Sequence, residues 1–403
     1  MRVAAGSCAA PRLERAAKSA LRSALMAAAA ALLASCASAP PPAPAPAAPP
    51  AAPALPGLTL RAATFGDLPG WHDDNFADLW GAWQRDCKAA PAALTAACAA
   101  SGTLDAGDVA AQRRFFEAWF QPWQALQPGG ADSGLVTGYY EPVFKGALQP
   151  GWPFVVPLYG TPADLVDLDV AAGTAGTTRG RALWRDGQRE VVPFWSRAEI
   201  DTDPQAQALL ARNVVAWLAS PVDALFLQVQ GSGLVELPDG RLLRLSYAAD
   251  NGWPYKSVGR WLLDQGELRG TVSMDIIRAW AQMHPERVPQ MLDANPRVVF
   301  FRSTPLQDAA RGPVGALGVP LTPLRSVAVD RHLLALGTPL WLSTTVGTQP
   351  LQHLVFAQDV GGAIAGPLRT DLFFGTGDAA GSAAGSMQAG GRIWLLLPRT
   401  TSP

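Results

Sequence analysis

The C-terminal quarter of the chain is cut into short apolar runs, Ser326 to Val329, Leu340 to Leu342, Leu354 to Ala357 and Ile393 to Leu397, with glycine and proline scattered between them. None is long enough for an ordinary helix, and many short strands joined through Gly and Pro turns argue a small closed barrel. The earlier part of the chain reads differently. From Leu58 to about Gln127 it is mainly helical: Phe76, Leu79, Trp80, Trp83 and Cys87 repeat at helical spacing, and Phe115, Phe116, Trp119 and Phe120 follow the cap candidates Asp105 and Asp108 before Pro122. From Thr137 the period shortens. Phe226 to Gln230 is expected to be a strand, and Val235 to Leu237 with Leu242 to Leu245 a hairpin around Pro238-Asp239-Gly240. Two helices interrupt, Ser257 to Gln265 and Met274 to Met283 with Ser273 as its cap, before a strand at Val298 to Phe301. The class that follows is mainly β with helices, α+β.

Within the barrel-like part, three aspartates stand in strand-like segments punctuated by glycine: Asp330, Asp359 and Asp371. Val355 and Phe356 deliver Asp359 to a strand end, Gly361-Gly362 turns the chain, and a second apolar run carries Asp371. The flanking Leu372, Phe373 and Phe374 desolvate Asp371, which raises a carboxyl pKa and suits a general acid near neutral pH. Turn and cap aspartates are the plainer reading of the same pattern.

Composition narrows the partners. With a net charge of -1 over 403 residues, the chain has no basic excess to attract nucleic acid. Its 14 tryptophans suit sugar faces as well as a core. The four histidines, His72, His284, His332 and His353, lack ligand spacing with a cysteine or with one another, so no metal is expected. No cofactor and no second subunit are called for either. Arg12, Arg15, Lys18 and Arg22 precede an apolar run from Ala24 to Ala34, too short to span a bilayer but suited to a signal-peptide core. It closes on Leu33-Ala34-Ser35-Cys36, which looks like a bacterial lipoprotein signal over residues 1–36 with Cys36 as the lipidated residue; an ordinary secretory signal cleaved near Ala37-Ser38-Ala39 is the other reading. Residues 37–57 follow as a linker, almost wholly proline and alanine from Pro40 to Pro56, which acts as a stiff spacer. Cys87 and Cys98 flank the helix-breaking Pro91; in an oxidising compartment they form a disulfide, with two buried thiols as the alternative.

Five blocks then fall in one order: Gly138-Tyr139-Tyr140-Glu141-Pro142, Leu227-Gln228-Val229-Gln230-Gly231-Ser232-Gly233, Tyr247-Ala248-Ala249-Asp250-Asn251-Gly252, the Asn295-Pro296 to Phe300-Phe301 strand and the three-aspartate segment. Together, from roughly Leu58 to Pro398, they resemble the membrane-bound lytic murein transglycosylase A family. The resemblance implies a double-psi β-barrel catalytic domain made of residues 58–141 and 304–403, with a β-rich substrate-binding domain, 142–303, inserted in it. It implies a peptidoglycan lytic exotransglycosylase in which Asp371 is the acid and Asp359 and Asp330 support it. The bond cut would be the β-1,4 link between N-acetylmuramic acid and N-acetylglucosamine, leaving a 1,6-anhydromuramoyl end. The implied location is the periplasmic face of the outer membrane, held there by lipid on Cys36. Tyr139, Tyr140, Glu141, Gln228, Gln230, Ser232, Tyr247 and Asn251 are the polar candidates for binding the glycan strand; the same groups could equally pair strand edges. Two other readings stay open, a glycan hydrolase with Asp359 as base and a non-catalytic glycan-binding lipoprotein.

Overall fold

The computed structural model describes residues 52–399 apart from 90, 168–177, 186–187, 307 and 309–310. The signal segment, Cys36 and most of the linker lie outside the described residues. The folded part opens with strand β1 (Thr59–Ala62), followed by helices α1 (Phe76–Asp86), α2 (Thr95–Ser101) and α3 (Val109–Trp119). Phe76, Leu79, Trp80 and Trp83 form one buried face of α1, at the helical spacing read from the sequence. Asp108 caps α3 by accepting from the Ala111 N–H at 2.8 Å. Cys87 and Cys98 are joined in a disulfide that ties the end of α1 to α2. Strands β2 (Phe120–Leu126) and β3 (Gly134–Glu141) then lead into the second sheet.

That sheet contains β4 (Val143–Ala147), β5 (Val156–Tyr159), β9 (Val214–Leu218), β10 (Ser232–Glu236), β11 (Leu242–Asp250) and β12 (Val299–Pro305), in the order β12-β11-β10-β4-β9-β5. A separate three-stranded sheet is built from β6 (Leu165–Asp167), β7 (Arg179–Arg185) and β8 (Gln188–Pro193). Helices α4 (Arg197–Thr202), α5 (Pro204–Leu210), α6 (Pro221–Gln230), α7 (Val258–Asp264), α8 (Met274–Met283) and α9 (Val288–Asp293) fill the connections. The hairpin around Pro238-Asp239-Gly240 is present, with Glu236 opposite Leu242. Ser257 and Ser273 cap α7 and α8.

Two expectations fail here. Phe120 and Pro122, read as the end and the stop of a helix, lie in strand β2, and the helix ends at Trp119. Phe226 to Gln230 is the C-terminal half of α6, not a strand. Ser220 caps the helix, Pro221 takes its first turn and Gly231 ends it in the left-handed region, while Val222, Leu225 and Phe226 bury one face. The start and stop signals lie outside the apolar run and outweigh its strand-like composition.

The chain returns through β13 (Ser326–Val329), β14 (Pro339–Val346), β15 (Gln349–Asp359), β16 (Thr370–Thr376), helix α10 (Asp378–Gly385) and β17 (Gln388–Pro398). Strands β17-β14-β15-β13-β16-β3 pair in sequence, and β17 also pairs with β3, so six strands close into a barrel; β2 and β1 extend β17 on its other side. Val136, Val327, Val329, Leu340, Leu342, Val355, Ala357, Leu372, Ile393 and Leu395 fill the interior. The alternate residues Trp341, Phe356 and Trp394 face outward into the aromatic cluster of α1 and α3. A buried ion pair pins this cluster to the barrel: Asp74 accepts from both terminal nitrogens of Arg325 at 2.7 Å, from His353 Nδ1 at 2.9 Å and from the Leu354 N–H at 3.0 Å.

Candidate active site

Register places the aspartates. Ala328 on β13 pairs with Asp359 on one side and with Asp371 on the other, so the two carboxylates stand on strands that flank β13, roughly 10 Å apart along the hydrogen-bonding direction. Asp371 in turn lies opposite Thr137 of β3, and Thr137 opposite Gln388 of β17. Leu372 points into the barrel, so Asp371 and Phe373 point out. Asp359 reaches the same face only because of a β-bulge. Val327 pairs with Ala357 but Ala328 with Asp359, which leaves Gln358 as the extra residue and reverses the alternation after it. Without the bulge, Asp359 would follow Val355 and Ala357 into the interior.

Each carboxylate has a distinct environment. Thr137 Oγ1 donates to Asp371 Oδ1 at 2.5 Å and itself accepts from Arg369 Nη2 at 2.9 Å. Burial pushes Asp371 up to about 6, with the charge of Asp359 adding to it and Thr137 and Arg369 opposing it. No protein donor reaches its Oδ2 among the described residues. Asp359 has both oxygens engaged: Oδ2 accepts from the Tyr139 hydroxyl at 2.8 Å and Oδ1 from the Ala316 N–H at 3.0 Å. Burial raises its pKa, and it drives the buried Tyr139 phenol well above its usual value. Asp330 stands apart. It accepts from the Gly366 N–H at 2.8 Å and the His332 N–H at 2.9 Å, and those backbone donors hold its pKa below the usual carboxylate range. It therefore clamps the loop between Asp359 and Asp371 and carries no proton to give.

The other expected residues divide sharply. Glu141 is fully buried, paired with Arg244 through Oε1 at 2.8 Å and Oε2 at 2.9 Å and bonded by Thr376 Oγ1 at 2.8 Å, so it locks β3, β11 and β16 together instead of facing a ligand. Asn251 is also fully buried. Its amide donates to the carbonyls of Trp195 and Pro296 and accepts from the Val298 N–H, a purely structural task. Gln228 accepts from the Arg197 guanidinium at 2.6 Å. Tyr140 is buried against α10, where a side chain on Gly381 would strike its ring, and its N–H donates to Gln230 Oε1 at 3.1 Å. Ser232, partly exposed, opens β10. Tyr247 keeps 45% of its surface exposed and donates to Asp250 at 2.6 Å, which also accepts from Arg297 at 2.6 Å. Arg297 approaches the turn after Asp359, since a Cβ on Gly362 would lie 3.5 Å from its Nη1.

A cavity of about 510 Å³ touches the barrel at Gln388 of β17. It is lined by Gln230, Tyr255, Ser257, Arg260, Ile277 and Gln388, among others. Residues opposite each other in paired strands share a face, so Gln388, Thr137 and Asp371 look out on the same side of the barrel. Thr137 was within reach of the sequence, because it lies two residues before Tyr139 on one strand face. Arg297, Tyr255 and Gln388 carry no local signal and come together only through the fold.

Residues 135–302 match the family described as MltA specific insert domain, and residues 325–397 the 3D domain. The chain is 34% identical over 304 residues to the membrane-bound lytic murein transglycosylase A of Escherichia coli strain K12, covering 72% of each. It is 32% identical over 287 residues to that of Vibrio cholerae, covering 68% of each. Among solved structures it is similar to MltA from Neisseria gonorrhoeae, with a TM-score of 0.72 and 32% identity over 89% of this chain and 96% of that one. It is also similar to E. coli MltA with bound chitohexaose, with a TM-score of 0.62 and 28% identity over 81% of this chain and 90% of that one.

Proposed function

Because the chain belongs to the membrane-bound lytic murein transglycosylase A family of peptidoglycan-degrading lyases, we propose that it cuts peptidoglycan glycan strands with Asp371 as its only acid and base. The bond broken is the β-1,4 link from N-acetylmuramic acid to N-acetylglucosamine. Asp371, protonated on the open Oδ2, gives its proton to the departing glycosidic oxygen. The muramoyl 6-hydroxyl attacks its own anomeric carbon and returns its proton to the Asp371 carboxylate. The product is a 1,6-anhydromuramoyl end, no water is consumed, and the attack profits from the high effective concentration of an internal nucleophile. A hydrolase would need a second free carboxylate for nucleophile or base. The observation that carries the reading is the inequality of the pair: both oxygens of Asp359 already accept hydrogen bonds, while Asp371 keeps one oxygen open and a pKa of about 6.

In this reading residues 58–141 and 304–403 are the catalytic barrel domain and residues 142–303 the domain that holds the glycan. The strand would run along the Asp371 wall, with Tyr247 on one side and Gln230 and Gln388 in the cavity on the other. Lipid on Cys36 would hold the enzyme at the periplasmic face of the outer membrane; among the described residues, no helix is long and apolar enough to cross a membrane. The test is Asp371→Asn, which keeps shape and removes the titrating proton. Release of soluble muropeptides from purified cell walls should fall by about three orders of magnitude or more, the scale of a lost acid-base group. Near-wild-type release would move the acid elsewhere.

A further inference from the structure

Asp86, at the C-terminal end of α1, is an aspartate with 0% exposure that the reaction does not use. Its Oδ1 accepts from Gln358 Nε2 at 3.0 Å, and its Oδ2 is buried without a partner. A buried carboxyl left half satisfied is costly, so such a group persists where it holds something. Here it holds the bulge. Gln358 is the extra residue whose insertion turns Asp359 onto the Asp371 face. The side chain of Gln358 is fixed at both ends, by Asp86 and by Ser326 Oγ, which donates to its Oε1 at 2.6 Å. Ser326 Oγ in turn accepts from the Thr322 N–H at 2.8 Å. The Gln358 carbonyl accepts from the Leu317 N–H at 3.0 Å, and the neighbouring Ala316 N–H is the donor to Asp359 Oδ1. One carboxyl therefore supports, through one amide, both the bulge and the loop that grips Asp359.

We propose that Asp86 is a positioning residue, which through Gln358 fixes the bulge that aims Asp359 at the site. Burial also pushes Asp86 up to about 7, against the bond from Gln358, so it sits neutral through much of the acid range and adds little charge behind Asp359 and Asp371. The inference rests on the transglycosylase reading, and its test separates the two. Asp86→Ala removes the acceptor for Gln358, whereas Asp86→Asn retains an oxygen at Oδ1. On soluble glycan strands, kcat of Asp86→Ala should fall about ten- to a hundredfold, the loss expected from about an ångström of misplacement, with KM nearly unchanged. Asp86→Asn should restore most of that kcat. Gln358→Met, which keeps the length but loses the amide, should reproduce the defect, and the double variant should be no worse than either single one. That second route serves if Asp86→Ala does not fold. The product's mass is read in the same assay: a hydrolytic product would remove the transglycosylase reading and leave the positioning result standing. Wild-type kcat per folded molecule in Asp86→Ala or Gln358→Met, or equal loss in Asp86→Ala and Asp86→Asn, would overturn the inference.

Discussion

The two neighbours of Asp371 should move its titration in opposite directions. A general acid works only while protonated, so a pKa of about 6 sets a basic limb there, with about a tenth of the enzyme competent one pH unit higher. Thr137 donates to the charged form, so Thr137→Val should raise the pKa. A hydrogen bond to a charged group contributes about 1.5–3 kcal/mol, which corresponds to a rise of roughly one unit or more. Asp359 acts the other way. At roughly 10 Å and an effective dielectric constant of about 20, its full charge would cost Asp371 about 1.7 kcal/mol, or about one unit. Asp359→Asn removes that charge, so it should lower the limb by up to about one unit. The assay is kcat/KM against pH on soluble glycan strands, which reports the free enzyme; the limb stays readable even where Asp359→Asn lowers the maximum. Limbs that stay put, or that shift the same way in both variants, would refute the assignment of Asp371 as the titrating acid.

Stability offers two further tests of opposite sign. Burial pushes Asp371 up to about 6 when folded, above its ordinary value of 3.8, so folding stability falls as pH rises between those values. Asp371→Asn should escape this loss of up to about 3 kcal/mol, raising Tm at neutral pH but not in strong acid. Asp74 behaves in reverse: burial opposes its charge, but His353, Arg325 and Leu354 outweigh it and hold its pKa at about 2. Its contribution, about 2 kcal/mol, is complete above the unfolded value of 3.8 and is lost as pH falls toward 2, so denaturant unfolding across that window should show a slope that Asp74→Asn flattens. For the membrane anchor, Cys36→Ala should shift the protein to the soluble periplasmic fraction with its catalytic part still active; continued palmitate labelling and pelleting with outer membrane would contradict lipidation.

The parts legible in the sequence were those written in local patterns. The α1 stripe, the caps at Asp108 and Ser273, the hairpin at Pro238-Asp239-Gly240 and the barrel strands all declare themselves by period or by turn residues. The burial of Asp371 was readable because its apolar neighbours are adjacent in sequence. Asp359 was readable as a residue but not as a direction, since simple alternation from Val355 and Ala357 points it into the barrel. The bulge that corrects this depends on Asp86, more than two hundred residues away. Glu141 and Asn251 looked like ligand-binding groups because polarity alone cannot tell a groove from a buried ion pair. Arg244 and the Trp195 and Pro296 carbonyls that occupy them come from distant strands and loops.

The central claim is that an internal hydroxyl, and not water, completes the cleavage assisted by Asp371. Digestion of purified peptidoglycan in heavy-oxygen water, followed by mass spectrometry of the released muropeptides, tests it most directly. The account predicts 1,6-anhydro-muropeptides, each one water lighter than the hydrolytic equivalent and without solvent label on the sugar. Reducing-end muramic acid carrying the heavy oxygen would contradict it and transfer the role of base to Asp359.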